Sequence, residues 1–231
     1  MNLARLFRQR PNKDRGGAFP APQPLDSTSI DRTRLVVLDL ETSGLDTHRD
    51  EVLSIGAVAI TNGVLHMADQ FECTLLRPDH QANQATVLHE IAPSHIHAGQ
   101  AVETALNAFM LFAGPCVLLA FHAGFDQRML ARCLRKDLNH RLQHRFLDVA
   151  EIAPMLFPQA AAQCSTLDDW QHYFQLTNNE RHNAAADAQV TAEILLILLN
   201  RLARQGTNTL AELNNRLSVW RRLNQTRAGR L

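Results

Sequence analysis

The chain has 231 residues, of which 45% are hydrophobic and 20% charged, and its 23 Lys/Arg balance its 23 Asp/Glu. This is the composition of one folded domain with tails, and it excludes a membrane-embedded bundle: the longest strongly apolar run, residues 194–199, is far too short to cross a bilayer. Cys73, Cys116, Cys133 and Cys164 show no paired spacing and no secretory apolar segment follows the first residue, so free thiols and a cytoplasmic setting are expected.

The charge is unevenly spread. Residues 1–34 carry seven Lys/Arg against three Asp/Glu, and residues 200–231 carry seven against one. The centre, 35–199, carries nine against nineteen, so an acidic body is flanked by basic ends. Such a body suits cations, and such ends suit either solvent or an anionic partner. Pro11, Gly16, Gly17, Pro20, Pro22 and Pro24 interrupt any regular structure, so residues 1–33 read as a basic mobile arm. A domain is expected over 34–203 and a basic helical tail over 204–231.

Residues 35–45, LVVLDLETSGL, read as a strand buried on both faces and ended by a turn. Residues 51–60 are a second strand. Asn62-Gly63 then signals a tight hairpin into a third extended run over 64–76. Residues 80–100 read as a long loop. A helix over 101–113 is stopped by Gly114-Pro115 and followed by a buried strand over 116–121. Strand, helix, strand in this order implies a crossover and an α/β layer architecture. The next helix spans 124–136, and residues 146–149 start a short strand or helix. Pro154 and Pro158 bound an irregular piece. A capping-box-like Ser165-Thr166-Leu167-Asp168 opens a helix over 165–176. A long helix spans 183–203. Leu210, Leu213, Leu217 and Trp220 give the tail a short amphipathic helix that packs on its own domain.

Side chains alternate along a strand, so Asp39 and Glu41 point to one side. Carboxylates paired at the end of a buried strand repel each other unless they are solvated or a cation neutralises them, and a hard divalent cation with oxygen ligands fits. Two further acids stand at element ends. Asp126 precedes Met129, Leu130 and Cys133 by three, four and seven residues and shares their face. Asp187 precedes Val190 and Ile194 by three and seven. Either acid alone can be a helix cap. Four acids heading toward one core point instead to a metal cluster. His182, five residues before Asp187, is placed to serve as a general base.

These segments resemble the DEDDh branch of the 3′→5′ exonucleases, the family that includes the proofreading epsilon subunit of bacterial DNA polymerase III. The carrying motifs are DLETSGL at 39–45, FHAGFD at 121–126 where the family usually has HNAxFD, and HNAAADA at 182–188, matching HxAxxDA. A sister branch has tyrosine where this chain has Asn183. The resemblance covers about residues 35–200. It implies an RNase H-like α/β fold, a five-stranded mixed sheet flanked by helices on both faces. It implies that Asp39, Glu41, Asp126 and Asp187 hold two divalent cations, magnesium or manganese, with His182 as base. Thr42, Gly44 and Leu45 are expected to hold the last nucleotide, with Leu45 as an apolar wedge. His89, in a His-Glu-Ile segment where the family has His-Gly-Ile, and His122 are expected substrate contacts. The implied partners are single-stranded DNA or RNA 3′ ends, with the basic tails meeting a separate polymerase or other protein. An exoribonuclease and a non-catalytic polymerase-docking module are the competing readings.

Overall fold

The computed structural model describes residues 19–81, 92–177 and 183–228. The expectations placed on residues 1–18, His89 and His182 lie outside these. Five strands, β1 (Leu35–Thr42), β2 (Val52–Thr61), β3 (Val64–Thr74), β4 (Val117–Ala120) and β5 (Phe146–Asp148), form one sheet in the order β3-β2-β1-β4-β5. The first three are antiparallel, and β4 and β5 run parallel to β1. This is the mixed five-stranded RNase H-like sheet. The turn between β2 and β3 has positive φ at both Asn62 and Gly63 (55° and 70°), the geometry that suits the right-handed twist of a hairpin.

The helices are α1 (Pro93–His97), α2 (Val102–Ala113), α3 (Ala123–Leu138), α4 (Val149–Leu156), α5 (Leu167–Tyr173), α6 (Ala184–Arg204) and α7 (Leu210–Ala228). They cover both faces of the sheet, and the alternation of β1 decides which residue faces which layer. Val36, Leu38 and Leu40 pack with Leu106, Phe109 and Met110 of α2 and Met129, Leu130 and Leu134 of α3. Leu35 and Val37 pack with α4, α6 and α7. Among the described residues, no helix is long and apolar enough to cross a membrane, and all four cysteines are free.

Several elements differ from the sequence expectation. Part of the expected 80–100 loop is the short helix α1, and Gln100 hydrogen-bonds the backbone of Thr74 and Leu76 at the end of β3. Pro154 lies inside α4 rather than at the edge of an irregular piece. Asp148 caps that helix by accepting the Ala150 N–H, and Val149, Ile152, Ala153 and Leu156 form its buried face. The capping box of α5 is Thr166 with Asp169, one residue later than the expected Ser165 with Asp168. Both spacings satisfy the motif; the later one turns Leu167 and Trp170 inward.

The C-terminal helix is longer than expected and part of the core. Leu210, Leu213 and Leu217 are buried in the same cluster as Leu35 and Val37, while Trp220 is only partly covered. Residues at the end of the expected arm pack with it. Ile30 is buried, its N–H donates to the Asn208 carbonyl, and the N–H groups of Leu210 and Ala211 donate to the carbonyls of Thr28 and Asp26.

Candidate metal centre

Asp39 and Glu41 lie on the side of β1 that faces α6, and Asp187 comes down on them from the first turns of that helix. Carboxylate oxygens of the three lie within 4.8 Å of one another, with Glu41 and Asp187 buried. Two unit charges at that distance repel by about 3.5 kcal/mol at an effective dielectric constant of ~20. A cation with oxygen ligands answers that repulsion, and the all-carboxylate donor set fits a hard divalent ion.

The placement of Asp187 depends on two neighbours. Asn183 is the N-cap of α6, its Oδ1 accepting from the Ala185 and Ala186 N–H groups at 3.0 Å each. The capping role is thus filled by Asn183, not by Asp187. Gly56 stands opposite Asp39 in the β1–β2 register. A Cβ built on it would meet the Ala184 carbonyl carbon at 2.1 Å and the Ala185 nitrogen at 2.2 Å. The bare glycine therefore lets the start of α6 touch the sheet beside Asp39. Spacing alone drew no attention to Gly56; a glycine inside a strand of otherwise bulky residues was the available signal.

Asp126 is buried near these acids but lies outside the group of three. Its helix α3 covers the opposite face of β1, the face of Leu38 and Leu40. Burial, joined by the charges of Asp148 and Glu41, pushes its carboxyl up to about 8 against the pull of the backbone amides of Asp126 and Leu40. Asp126 thus lies close enough to Glu41 and Leu40 for the charge of one and the backbone amide of the other to act on it.

The substrate-side residues surround this cluster. His122, the N-cap of α3, is exposed and left-handed (φ 62°, ψ 44°). Its N–H donates to Asp148 Oδ1 at 3.0 Å, and the same oxygen accepts the Ala150 N–H at 2.9 Å. Asp148, which the sequence reading passed over, thus fixes the strained entry of α3. It ends β5 as Asp39 nears the end of β1, and an acid closing a short apolar strand was the signal for it. Its carboxyl is raised by burial, against the pull of the Ala150 amide.

Thr42 is buried and its hydroxyl donates to the Gly44 carbonyl at 2.7 Å. The loop that follows is built around Asp50. One Asp50 oxygen accepts the Ser43 hydroxyl, the other accepts the Asp46 N–H, each at 2.8 Å, and a Cβ on Gly44 would strike that carboxylate. Arg132 of α3 donates to the carbonyls of Thr47, Arg49 and Asp50. The result is a braced loop with Leu45 85% exposed at its tip.

The family model described as Exonuclease, named for RNase T, matches residues 36–195. The chain belongs to this exonuclease family. It is 34% identical over 191 residues to a DNA polymerase III subunit epsilon-like protein of Rhodobacter capsulatus, covering 80% of this chain and 26% of that protein. It is 28% identical over 189 residues to a PolC-type DNA polymerase III of Thermotoga petrophila, covering 81% of this chain and 13% of that one. It thus spans only a fraction of the length of these curated relatives. In fold it is similar to E. coli exonuclease I in complex with a dT13 oligonucleotide, with a TM-score of 0.64 at 14% identity over 75% of this chain and 42% of that chain.

Proposed function

We propose that this chain is a divalent-metal-dependent 3′→5′ exonuclease that hydrolyses the terminal phosphodiester of single-stranded DNA and releases nucleoside 5′-monophosphates. The observation that supports this most is the meeting of Asp39, Glu41 and Asp187 from two distant elements within 4.8 Å. These three, with Asp126 beside them, would hold magnesium or manganese. Such ions, when bound, polarise water and the scissile phosphate and neutralise charge on the leaving oxygen. His182 takes the proton of the attacking water. Leu45, presented by its braced loop, packs against the terminal base, while Thr42 and Gly44 fix the backbone beneath it. His122 and His89 contact the nucleotide. Relatives whose names place them in DNA polymerase III support a polymerase as a partner.

The test is a gel of 5′-labelled DNA and RNA oligonucleotides of one sequence, with magnesium, with manganese and with a chelator. The expected result is a metal-dependent ladder shortening from the 3′ end of DNA. It is lost in Asp187→Asn and His182→Ala while the circular dichroism spectrum persists. An Asp187→Asn protein with the wild-type rate overturns the site; a ladder on RNA alone replaces DNA by RNA as substrate.

A further inference from the structure

Of the nine Lys/Arg residues between 35 and 199, six fall within 128–145: Arg128, Arg132, Arg135, Lys136, Arg141 and Arg145. The body is acidic, but this segment is not. Two of the six have internal work. Arg132 holds the Leu45 loop and Lys136 pairs with Glu51 at 2.8 Å. The other four, Arg128, Arg135, Arg141 and Arg145, are exposed and have no acidic partner among the described residues. On the sheet and its connecting loops the cations are paired: Arg34 with Asp69, Arg49 with Asp46 and Arg77 with Glu51.

The position of these charges matters as much as their number. Arg128, Arg132 and Arg135 recur at four and three residues, so they form one row along α3. The row begins near the N-terminal end of α3, the helix whose buried face carries Asp126. The Arg128 guanidinium folds back over the first turn, 3.4 Å from where a Cβ on Gly124 would lie, and two residues before it stands Asp126. From Arg128 to Arg135 the row extends about 10 Å. On the flank of α3 an open cleft of ≈ 490 Å³ continues the surface, lined by Gln127 of the helix and by Arg141, Gln143 and Arg145 of the turn leading into β5. Along the other flank the row borders the loop that presents Leu45.

We infer that the outer face of α3 and the 139–145 turn form the track along which the phosphodiester backbone of the nucleic acid runs to the acidic centre. The inference rests on the nuclease reading above and names the surface that brings the strand in. Carboxylates gathered at the centre repel an approaching polyanion, and the guanidinium groups of α3 and of the 139–145 turn offset that repulsion. Guanidinium suits phosphate in both charge and geometry. In the C-terminal helix, Arg221 binds Glu151 and Arg216 binds Thr207 and Gln205.

The test neutralises Arg128, Arg135, Arg141 and Arg145 together as glutamine, in the full chain. Binding of labelled 20-mers of DNA and of RNA is measured by anisotropy against salt concentration in an Asp187→Asn background, where no hydrolysis interferes. Each lost phosphate contact flattens the slope of log K against log salt by about 0.7 for a single strand, so two to four contacts lower it by roughly 1.4 to 2.8. Similar losses on DNA and RNA identify the shared backbone as the ligand, and a loss on one alone identifies that strand. In the otherwise wild-type enzyme KM for a 20-mer rises about tenfold or more with kcat retained, and hydrolysis of thymidine 5′-(p-nitrophenyl phosphate), which has no strand to track, is unchanged. The corresponding four lysine substitutions restore the slope. An unaltered slope and KM overturn the track, as does equal loss on the small ester. A wild-type protein that cleaves neither substrate overturns the nuclease reading, while the binding arm still tests the surface.

Discussion

Gly56→Ala tests whether the meeting of α6 with β1 is what makes the site. The added Cβ would sit 2.1 Å from the Ala184 carbonyl carbon, whereas ordinary contact begins near 3.4 Å. The opposing atoms are backbone and cannot rotate away, so β2 and the start of α6 must separate by the difference, about 1.3 Å. Asp187 lies one turn into that helix and moves with it, while Asp39 and Glu41 stay in the sheet. Overpacking of this kind costs about 1–3 kcal/mol, or roughly 2–4 °C in Tm per kcal/mol for a domain of this size. A displacement of ~1 Å among reacting groups costs on the order of 10²-fold in rate. The expected variant is folded, modestly less stable and about a hundredfold slower on a labelled oligonucleotide with saturating magnesium. Isothermal titration of manganese is expected to show weakened binding in parallel. Wild-type rate and wild-type manganese affinity in a folded Gly56→Ala protein would refute the reasoning, because the acids would then tolerate the separation.

Three other outcomes follow from the geometry. Arg132→Ala removes the donors to Thr47, Arg49 and Asp50, so amides 43–51 are expected to exchange hydrogen faster while those of β1 stay protected; unchanged exchange in the loop would show that Asp50 alone braces it. Leu213→Ala is expected to destabilise the whole domain by about 2–5 kcal/mol in urea unfolding, because Leu213 is buried in the main cluster; a loss confined to the last helix would mean that α7 is a separate unit. The Asp169 carboxyl is held at about 2 by the amides of Ser165 and Thr166, below its ordinary 3.8. Its contribution is therefore present above pH ~4 and lost as pH falls toward 2. Asp169→Asn is expected to remove that part of the acid dependence of unfolding, and an identical stability–pH profile for the two proteins would contradict it.

The order of strands and helices was legible because each element carries its own period. The unbroken run at 35–38, the Asn62-Gly63 turn and the three- and four-residue spacing of α2, α3 and α6 are local signals of backbone geometry and burial. Strand alternation likewise placed Asp39 and Glu41 on one side before any tertiary contact was known. Helix ends were less legible where two patterns were equally good: Ser165-Asp168 and Thr166-Asp169 differ by one residue, and only the burial of Leu167 and Trp170 separates them. Pro154 misled because the buried face of Val149, Ile152, Ala153 and Leu156 holds α4 together despite the N–H that proline lacks.

Relations between elements had no such local signal. That α3 approaches from the opposite face of β1, leaving Asp126 beside the three clustered acids and not among them, depends on which layer each helix joins. The close passage of α6 over Gly56, the bracing of the Leu45 loop by Arg132 and the shared use of Asp148 by two chain segments join residues 26 to 129 positions apart. Residue type and spacing fix what a segment does with its neighbours along the chain. Which distant carboxylates come to share one space is set by packing, and packing is a property of the folded whole.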